Sequence, residues 1–149
     1  MLAEELVVGT ATPAELTALH AALDRFWGAV DRAVTPPPPQ DWRLRFATAA
    51  LELATNVVRH AYPADAAPGP MQVRLRAYAD RSVARFADRG VPFTGLPEPR
   101  AAFEADPLTL PEGGYGLALI LACVDRLAYR RTPQGTNCWR LVKRFDRQD

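Results

Sequence analysis

The sequence predicts a two-layer α/β sandwich, with three helices on one face of a mixed, mostly antiparallel sheet of about five strands. Three segments repeat apolar residues at helical spacing, and each begins or ends at Pro, Gly or a capping residue. Other segments alternate apolar and polar residues, which is typical of strands with one buried and one wet face. We expect a single domain over 1–149, because 149 residues is an ordinary domain length.

The N-terminal half predicts one strand and two helices. Residues 6–9 read as a short strand, and a capping box that begins at Thr12 starts a helix over about 13–33. A run of prolines ends that helix, and Asp41 is a good cap for a second helix over about 41–61. The expected core residues of the second helix are Leu44, Ala47, Leu51, Ala54, Val58 and Ala61.

The C-terminal half predicts the rest of the sheet and a third helix. Strands are expected over 71–77 and 82–88, with a closing hairpin over 127–132 and 136–145. Residues 89–112 hold five prolines and little periodicity, so they predict a long loop of the kind that often serves as a lid. A glycine cluster then opens the third helix.

Composition and charge exclude several functions. No run of about 18 apolar residues and no basic-then-apolar leader are present, so we expect a cytoplasmic protein without a membrane partner. The net charge of +1 gives no face a broad attraction for phosphates, so we expect no direct nucleic-acid binding. Lys143 is the only lysine, which excludes a P-loop. Cys123 and Cys138 lack metal-site spacing and are expected to be reduced thiols.

The first of three polar patches lies on the second helix. Glu52, Asn56 and His60 follow one another at intervals of four residues, hence on one side of the helix. A carboxylate and a carboxamide one turn apart suit Mg²⁺, and the carboxylate can polarise a hydroxyl in line with a transferred phosphoryl group. The alternative is an ordinary solvated helix face.

The other two patches follow a strand and precede a helix. Asp88 ends an apolar strand and can accept a hydrogen bond from an exocyclic amine such as that of adenine, while Gly90 lets the backbone approach a flat ring. An ordinary turn is the alternative. The segment from Gly113 to Leu117 has the backbone N–H groups and helix start that bind anions, or it is simply a loop that joins a helix.

The order and separation of these motifs resemble those of the Bergerat-type (GHKL, histidine-kinase-like) ATPases. That pattern is Glu-x-x-x-Asn on a helix, Asp-x-Gly after a strand, a proline-rich loop, and Gly-Gly-x-Gly into a helix. Within that group, the segments 52–62, 88–93 and 135–143 are similar to the anti-sigma-factor serine kinases, the RsbW-like regulators. One departure is Pro92, which stands where many of these ATPases have a second glycine.

The resemblance implies a role for each matching residue. Asn56 would ligate Mg²⁺, and Glu52 would act as the general base or orient the acceptor hydroxyl. Asp88 would bind the adenine amine, with Gly90 beneath the ring and residues 94–112 as the ATP lid. The expected phosphate and adenine contacts are Gly113, Gly114, Gly116, Leu117 and Thr136. For His60 we expect a structural hydrogen bond rather than chemistry.

The implied function is an anti-sigma factor and protein serine kinase that uses Mg·ATP. Its partners would be a STAS-type anti-sigma-factor antagonist, which it phosphorylates on a serine, and a sigma factor, and it would be a homodimer. The alternatives are a non-catalytic ATP-binding module that sequesters a partner, another ATP-dependent regulator, and a structural domain whose patches coincide by chance. The sequence does not identify the sigma factor, the antagonist or the upstream signal.

Overall fold

The computed structural model describes residues 1–94 and 115–145. The chain forms, in order, strand β1 (Ala3–Thr10), helices α1 (Pro13–Ala33) and α2 (Gln40–Asn56), a π-helical turn (Val57–Ala61), strands β2 (Pro70–Ala77) and β3 (Arg81–Asp88), helix α3 (Tyr115–Cys123), and strands β4 (Arg126–Arg131) and β5 (Asn137–Arg144). Apart from residue 94, the expected lid over 94–112 lies outside the described residues, as do Gly113 and Gly114.

The five strands form one sheet in the order β1-β2-β3-β5-β4, and every described pairing is antiparallel. The predicted two-layer α/β class with about five strands and three helices is therefore confirmed. The register places Asp88, the last residue of β3, directly opposite Asn137, the first residue of β5. This pairing positions the polar end of the sheet on which the candidate site is built.

The helices cover one face of the sheet and share a single apolar core with it. Met71, Val73 and Leu75 alternate along β2 toward the helices. Near the other end of the layer, Trp42 stacks on Phe46, and the Trp42 indole N–H donates to the carbonyl of Arg144 at 2.7 Å. This aromatic contact ties α2 to the end of β5.

The expected core side of the second helix is partly wrong. Leu44 is 65% exposed, whereas the buried residues of α2 are Trp42, Phe46, Ala49, Ala50, Leu53 and Ala54. The aliphatic spacing favoured Leu44, but the aromatic cluster formed with Trp27 of α1 sets the rotation of the helix. Ala54 and Ala61 are buried as expected.

The element ends also differ from the predictions. The first strand is longer, Ala3–Thr10 rather than 6–9. Thr12 precedes α1 but makes no side-chain capping bond; its backbone carbonyl accepts from the Glu15 N–H at 2.9 Å instead. The second helix starts after Pro39, with Asp41 in its first turn, and its last five expected residues form a π-helical turn.

The opposite face of the sheet carries no helix among the described elements. Residues that face each other across neighbouring strands project to the same side, so the ladder places Leu6, Arg74, Arg85 and Arg140 in one row on this open face. No described helix combines the length and the apolar character that crossing a membrane requires.

Candidate nucleotide site

The C-terminal part of α2 supplies the first group of candidate residues. Glu52 and Asn56 lie one turn apart and are partly exposed, while their neighbours Leu53 and Val57 are buried in the core. The apolar side of the helix is anchored, so these two polar side chains are held on the side away from the core. The carboxylate and the amide oxygen therefore remain available to a ligand or a cation.

The start of α3 lies directly against Asn56. A methyl group placed on Gly116 would come within 3.1 Å of Asn56 Nδ2 and 3.2 Å of Oδ1, which is tighter than ordinary packing. Glycine at this position lets the first turn of α3 approach the amide. A helix N-terminus attracts anions through its free N–H groups and its dipole, so an anion bound there would lie beside Asn56.

Asp88 is buried at the end of β3, with 3% of its surface exposed. Its Oδ1 accepts the backbone N–H of Gly90 and the side-chain amide of Asn137, each at 2.8 Å. No described residue donates to Oδ2. Two donors fix the carboxylate in one orientation, so Asp88 fits the role of a hydrogen-bond acceptor for an exocyclic amine.

Asn137 is a site residue that the sequence reasoning missed. Its Oδ1 accepts from Tyr129 Oη at 2.6 Å and from Arg131 Nη1 at 2.8 Å, while its Nδ2 donates to Asp88. The amide thereby connects β3, β4 and β5 at one end of the sheet. Only the strand register could have revealed it, because nothing in the sequence separates Asn137 from its neighbour Thr136 as the partner of Asp88.

Thr136, which the resemblance assigns to the adenine pocket, lies in the turn between β4 and β5 and contacts Arg89. Its hydroxyl oxygen accepts from the Arg89 guanidinium at 3.1 Å, and the same guanidinium donates to the carbonyl of Gln134 at 2.8 Å. Arg89 thus fastens the β4–β5 turn to the end of β3. The Thr136 hydroxyl keeps its proton for a further acceptor.

Gly90 links the patch at Asp88 to the end of the helix that carries Glu52 and Asn56. A side chain at Gly90 would collide with the backbone of Ala61, and the Val91 N–H donates to the Ala61 carbonyl at 2.7 Å. The π-helical turn that starts after Asn56 ends at Ala61, so the chain beyond Asp88 packs against the end of the helix that carries Asn56. Glycine is required here because the backbones of Gly90 and Ala61 are too close to leave room for a Cβ.

Tyr62 closes the same junction from the outside. Its hydroxyl accepts the backbone N–H of Arg89 at 2.8 Å and donates to the carbonyl of Pro70. Burial is the main cause that raises the pKa of this phenol above its ordinary value, and the neighbouring Asp88 carboxylate acts in the same direction. The neutral hydroxyl is therefore the form that the fold stabilises.

Two of the remaining expected residues are described. His60 is exposed, and its side chain makes no hydrogen bond with any described residue, so the structural hydrogen bond expected for it is not found among them. Leu117 is 5% exposed and its side chain lies in the core, which leaves its backbone N–H as the group a ligand could reach.

The donor set fits a nucleotide with an oxygen-bound cation. Asp88 offers an acceptor for an exocyclic amine, the start of α3 offers N–H groups to phosphate, and Asn56 and Glu52 offer oxygen ligands of the kind that Mg²⁺ prefers. Among the described residues no cluster of three or more His, Cys, Asp or Glu side chains forms a metal cage. Mg²⁺ usually takes several of its ligands from phosphate and water, so one or two side-chain oxygens suit it.

Comparisons with known proteins place this architecture in a family. A family model described as a histidine kinase-like ATPase domain matches residues 12–143. No curated protein matches the chain. A solved structure of the RsbU and RsbW domains of Rv1364c from Mycobacterium tuberculosis is similar, with a TM-score of 0.64 and 19% sequence identity. The match covers 97% of this chain and 33% of that chain, and at this identity it shows the fold alone.

The family model extends from the residue before α1 to the penultimate residue of β5, well over half of the chain. It includes the three polar patches of the sequence and the network between β3, β4 and β5. ATP is the ligand that membership in an ATPase-domain family implies. The chain belongs to the histidine kinase-like ATPase domain family.

Proposed function

We propose that this protein is an ATP-dependent serine kinase that acts on a STAS-type antagonist protein and, through it, controls a sigma factor. The observation that carries the proposal is the junction of Gly90 with Ala61 together with the contact between Gly116 and Asn56. These two contacts bring three parts of the chain into one contiguous region. They are the end of β3 at Asp88, the part of α2 with Glu52 and Asn56, and the start of α3. The likeness to a structure that contains an RsbW domain supports the regulatory side of the proposal.

The described side chains have complementary tasks in this function. Asp88, oriented by Gly90 and Asn137 through Oδ1, accepts the adenine amine through Oδ2. Asn56 would hold the cation through a neutral oxygen, which would leave the positive charge of the ion to the phosphates. Mg·ATP supplies the phosphoryl group and the charge neutralisation on which this transfer mainly depends.

Glu52 is the residue to which we assign proton transfer. It lies one turn before Asn56 on the same side of α2, so an acceptor serine near the cation would also be near this carboxylate. Glu52 accepts the proton of the serine hydroxyl or orients that hydroxyl for attack. We assign Gly113, Gly114, Gly116 and the backbone of Leu117 to the phosphates, residues 94–112 to a lid, and Thr136 to the edge of the adenine pocket.

Transfer of labelled γ-phosphate to a STAS-type protein tests the proposal. Glu52→Gln should abolish transfer and leave ATP binding unchanged, because the amide keeps the size of the side chain and loses the base. Asn56→Ala should abolish transfer and also weaken binding of Mg·ATP. Asp41→Asn is the matched control, since it removes an exposed carboxylate from the other end of α2.

The outcomes separate the proposal from its main alternative. A wild-type protein that binds ATP and the STAS protein but never transfers phosphate would be a non-catalytic sequestering module. Full transfer by Glu52→Gln would refute the assignment of the base, and full transfer by Asn56→Ala would refute that of the metal ligand. The homodimer expected from the family resemblance is tested separately by sedimentation.

A further inference from the structure

The open face of the sheet concentrates positive charge. A groove of about 540 Å³ on this face is lined by six arginines, and no Asp or Glu is among its lining residues. The six are Arg74, Arg76, Arg85, Arg126, Arg130 and Arg140. The net charge of the whole chain is only +1, so this face is far more basic than the molecule as a whole.

Three of these arginines lie side by side across adjacent strands. Arg74 of β2 is opposite Arg85 of β3, and Arg85 is opposite Arg140 of β5. Neighbouring strands are about 4.8 Å apart, so the row of three spans about 10 Å. Like charges directly opposite each other destabilise a sheet.

The row is only partly neutralised by the described part of the chain, because Glu4, the ion-pair partner of Arg76, also attracts Arg74. Arg76 forms an ion pair with Glu4, whereas Arg74, Arg85, Arg126, Arg130 and Arg140 form none with described residues. The Nε of Arg140 is buried and has no hydrogen-bond partner among the described residues. Burial first, and then repulsion from Arg85 and Arg126, lower the pKa of the Arg140 guanidinium below its ordinary value.

Apolar residues continue the same face toward the edge of the sheet. Leu6 and Val8 of the edge strand β1 are 44% and 67% exposed and lie opposite Arg74 and Gln72. Arginines beside aliphatic side chains are typical of protein interfaces. A nucleic-acid backbone offers no apolar surface to bury Leu6 and Val8, whereas a protein segment with apolar side chains does.

We propose that the open face docks a partner protein through an acidic segment, whose carboxylates pair with the row of Arg74, Arg85 and Arg140 while its apolar residues cover Leu6 and Val8. Guanidinium groups match carboxylates with two parallel hydrogen bonds, which a row of three arginines offers to an acidic segment. A second copy of this chain is not the occupant, because a two-fold contact through this face would bring two arginine rows together. The surface lies on the opposite side of the sheet from the helices and does not depend on the proposed kinase function.

Fluorescence anisotropy with a labelled helical peptide that carries a glutamate face and leucines tests the proposal. The full-length chain should bind this peptide with an affinity that falls as salt rises, and should not bind the same peptide with lysine in place of glutamate. The double variant Arg85→Glu/Arg140→Glu should abolish binding of the glutamate peptide, because it places two carboxylates in the row. Arg85→Gln, at an exposed position, should weaken binding about tenfold, whereas Arg32→Gln on α1 should leave it unchanged.

Three results would overturn the proposal. The first is that the glutamate peptide does not bind at low salt. The second is that a single-stranded oligonucleotide of equal charge binds as tightly as the peptide or more tightly, which would make the face a nucleic-acid surface. The third is that the chain is a dimer in sedimentation and the charge-reversed variant separates it. Circular dichroism of each variant confirms that it is folded.

Discussion

The two faces of the sheet differ in whether their polar side chains have partners within the described chain. At the end of the helix-covered face, Asp88, Asn137 and Tyr129 satisfy one another through short hydrogen bonds. On the open face, Arg85 and Arg140 lie opposite each other without an anion from the described chain. The first region is organised by folding alone, whereas in our interpretation the second is completed by a ligand. The two regions should therefore respond to substitution with opposite signs.

The largest effect should follow from breaking the satisfied network. Asn137→Leu removes the acceptor of Tyr129 and Arg131 and one of the two donors to Asp88, so we expect a loss of about 2–4 kcal/mol in the free energy of unfolding. Urea denaturation measures it. ATP binding, measured by titration calorimetry, should weaken as well, because Asp88 loses its orientation.

Cys138→Ala is the matched control for that substitution. Cys138 is the next residue in β5, and its side chain lines the groove on the open face rather than joining the network. We expect a change below about 1 kcal/mol. Equal losses for the two variants would show that the network adds nothing beyond the packing of β5.

The contact between Gly90 and Ala61 should be the next most sensitive point. Gly90→Ala forces a methyl group into the backbone of Ala61 and should lower the free energy of unfolding by about 1–3 kcal/mol. Gly28 lies in the middle of α1, and a methyl group there would be 3.7 Å from Arg32 Nη1, an ordinary contact distance. Gly28→Ala should therefore stabilise the chain by about 0.5–1 kcal/mol. Thermal denaturation of both variants checks this difference in sign.

Tyr62→Phe should cost about 1 kcal/mol at neutral pH, because the Arg89 N–H loses its acceptor and the Pro70 carbonyl its donor. The folded-state pKa of Tyr62 is raised above the ordinary value of about 10, so folding favours the protonated phenol. This stabilising contribution is fully present below about pH 10 and is lost as the pH rises through the folded-state pKa.

The measurement for Tyr62 is chemical denaturation of the wild type and Tyr62→Phe from neutral to alkaline pH. The difference in unfolding free energy between them should be constant below about pH 10 and should shrink above it. A difference that grows in alkali would mean that the ionised phenol is the form stabilised by folding.

The smallest effect should come from the open face, and it should be a gain. Arg85→Gln relieves repulsion from Arg74 and Arg140, so the free energy of unfolding should rise by about 0.2–1 kcal/mol at low salt. The gain should diminish at high salt, because exposed charges are screened. A loss of stability on this substitution would mean that Arg85 already has an anionic partner within the free chain.

The sequence predicted the class of the fold and the order of its elements, because periodicity reports which side of each segment is buried. It predicted less well where packing between helices decides the outcome. Leu44 has the spacing of a core residue and is exposed, since Trp42 and Phe46 fill the core in its place. Net charge likewise gave no sign of the arginine groove, because a sum over the chain does not record which charges share a face.

For the candidate site, local patterns in the sequence were enough to single out Asp88, Gly90, Asn56 and Gly116. Each stands in a short motif with its own chemical logic. Local patterns could not single out Asn137, because its importance comes from the pairing of β3 with β5. A residue that acts by orienting another across strands has no signature in its own neighbourhood.

The amino-acid sequence by itself determined the alternation that gives β2 a buried and a wet face, the helical stripes, and the motifs typical of an ATP-binding fold. Only the tertiary structure decided that Asp88 meets Asn137, that Gly90 abuts Ala61, and that Arg74, Arg85 and Arg140 form one row. The reason is physical. Periodicity is a property of a single segment, whereas register and close approach follow from how separate segments pack into one core.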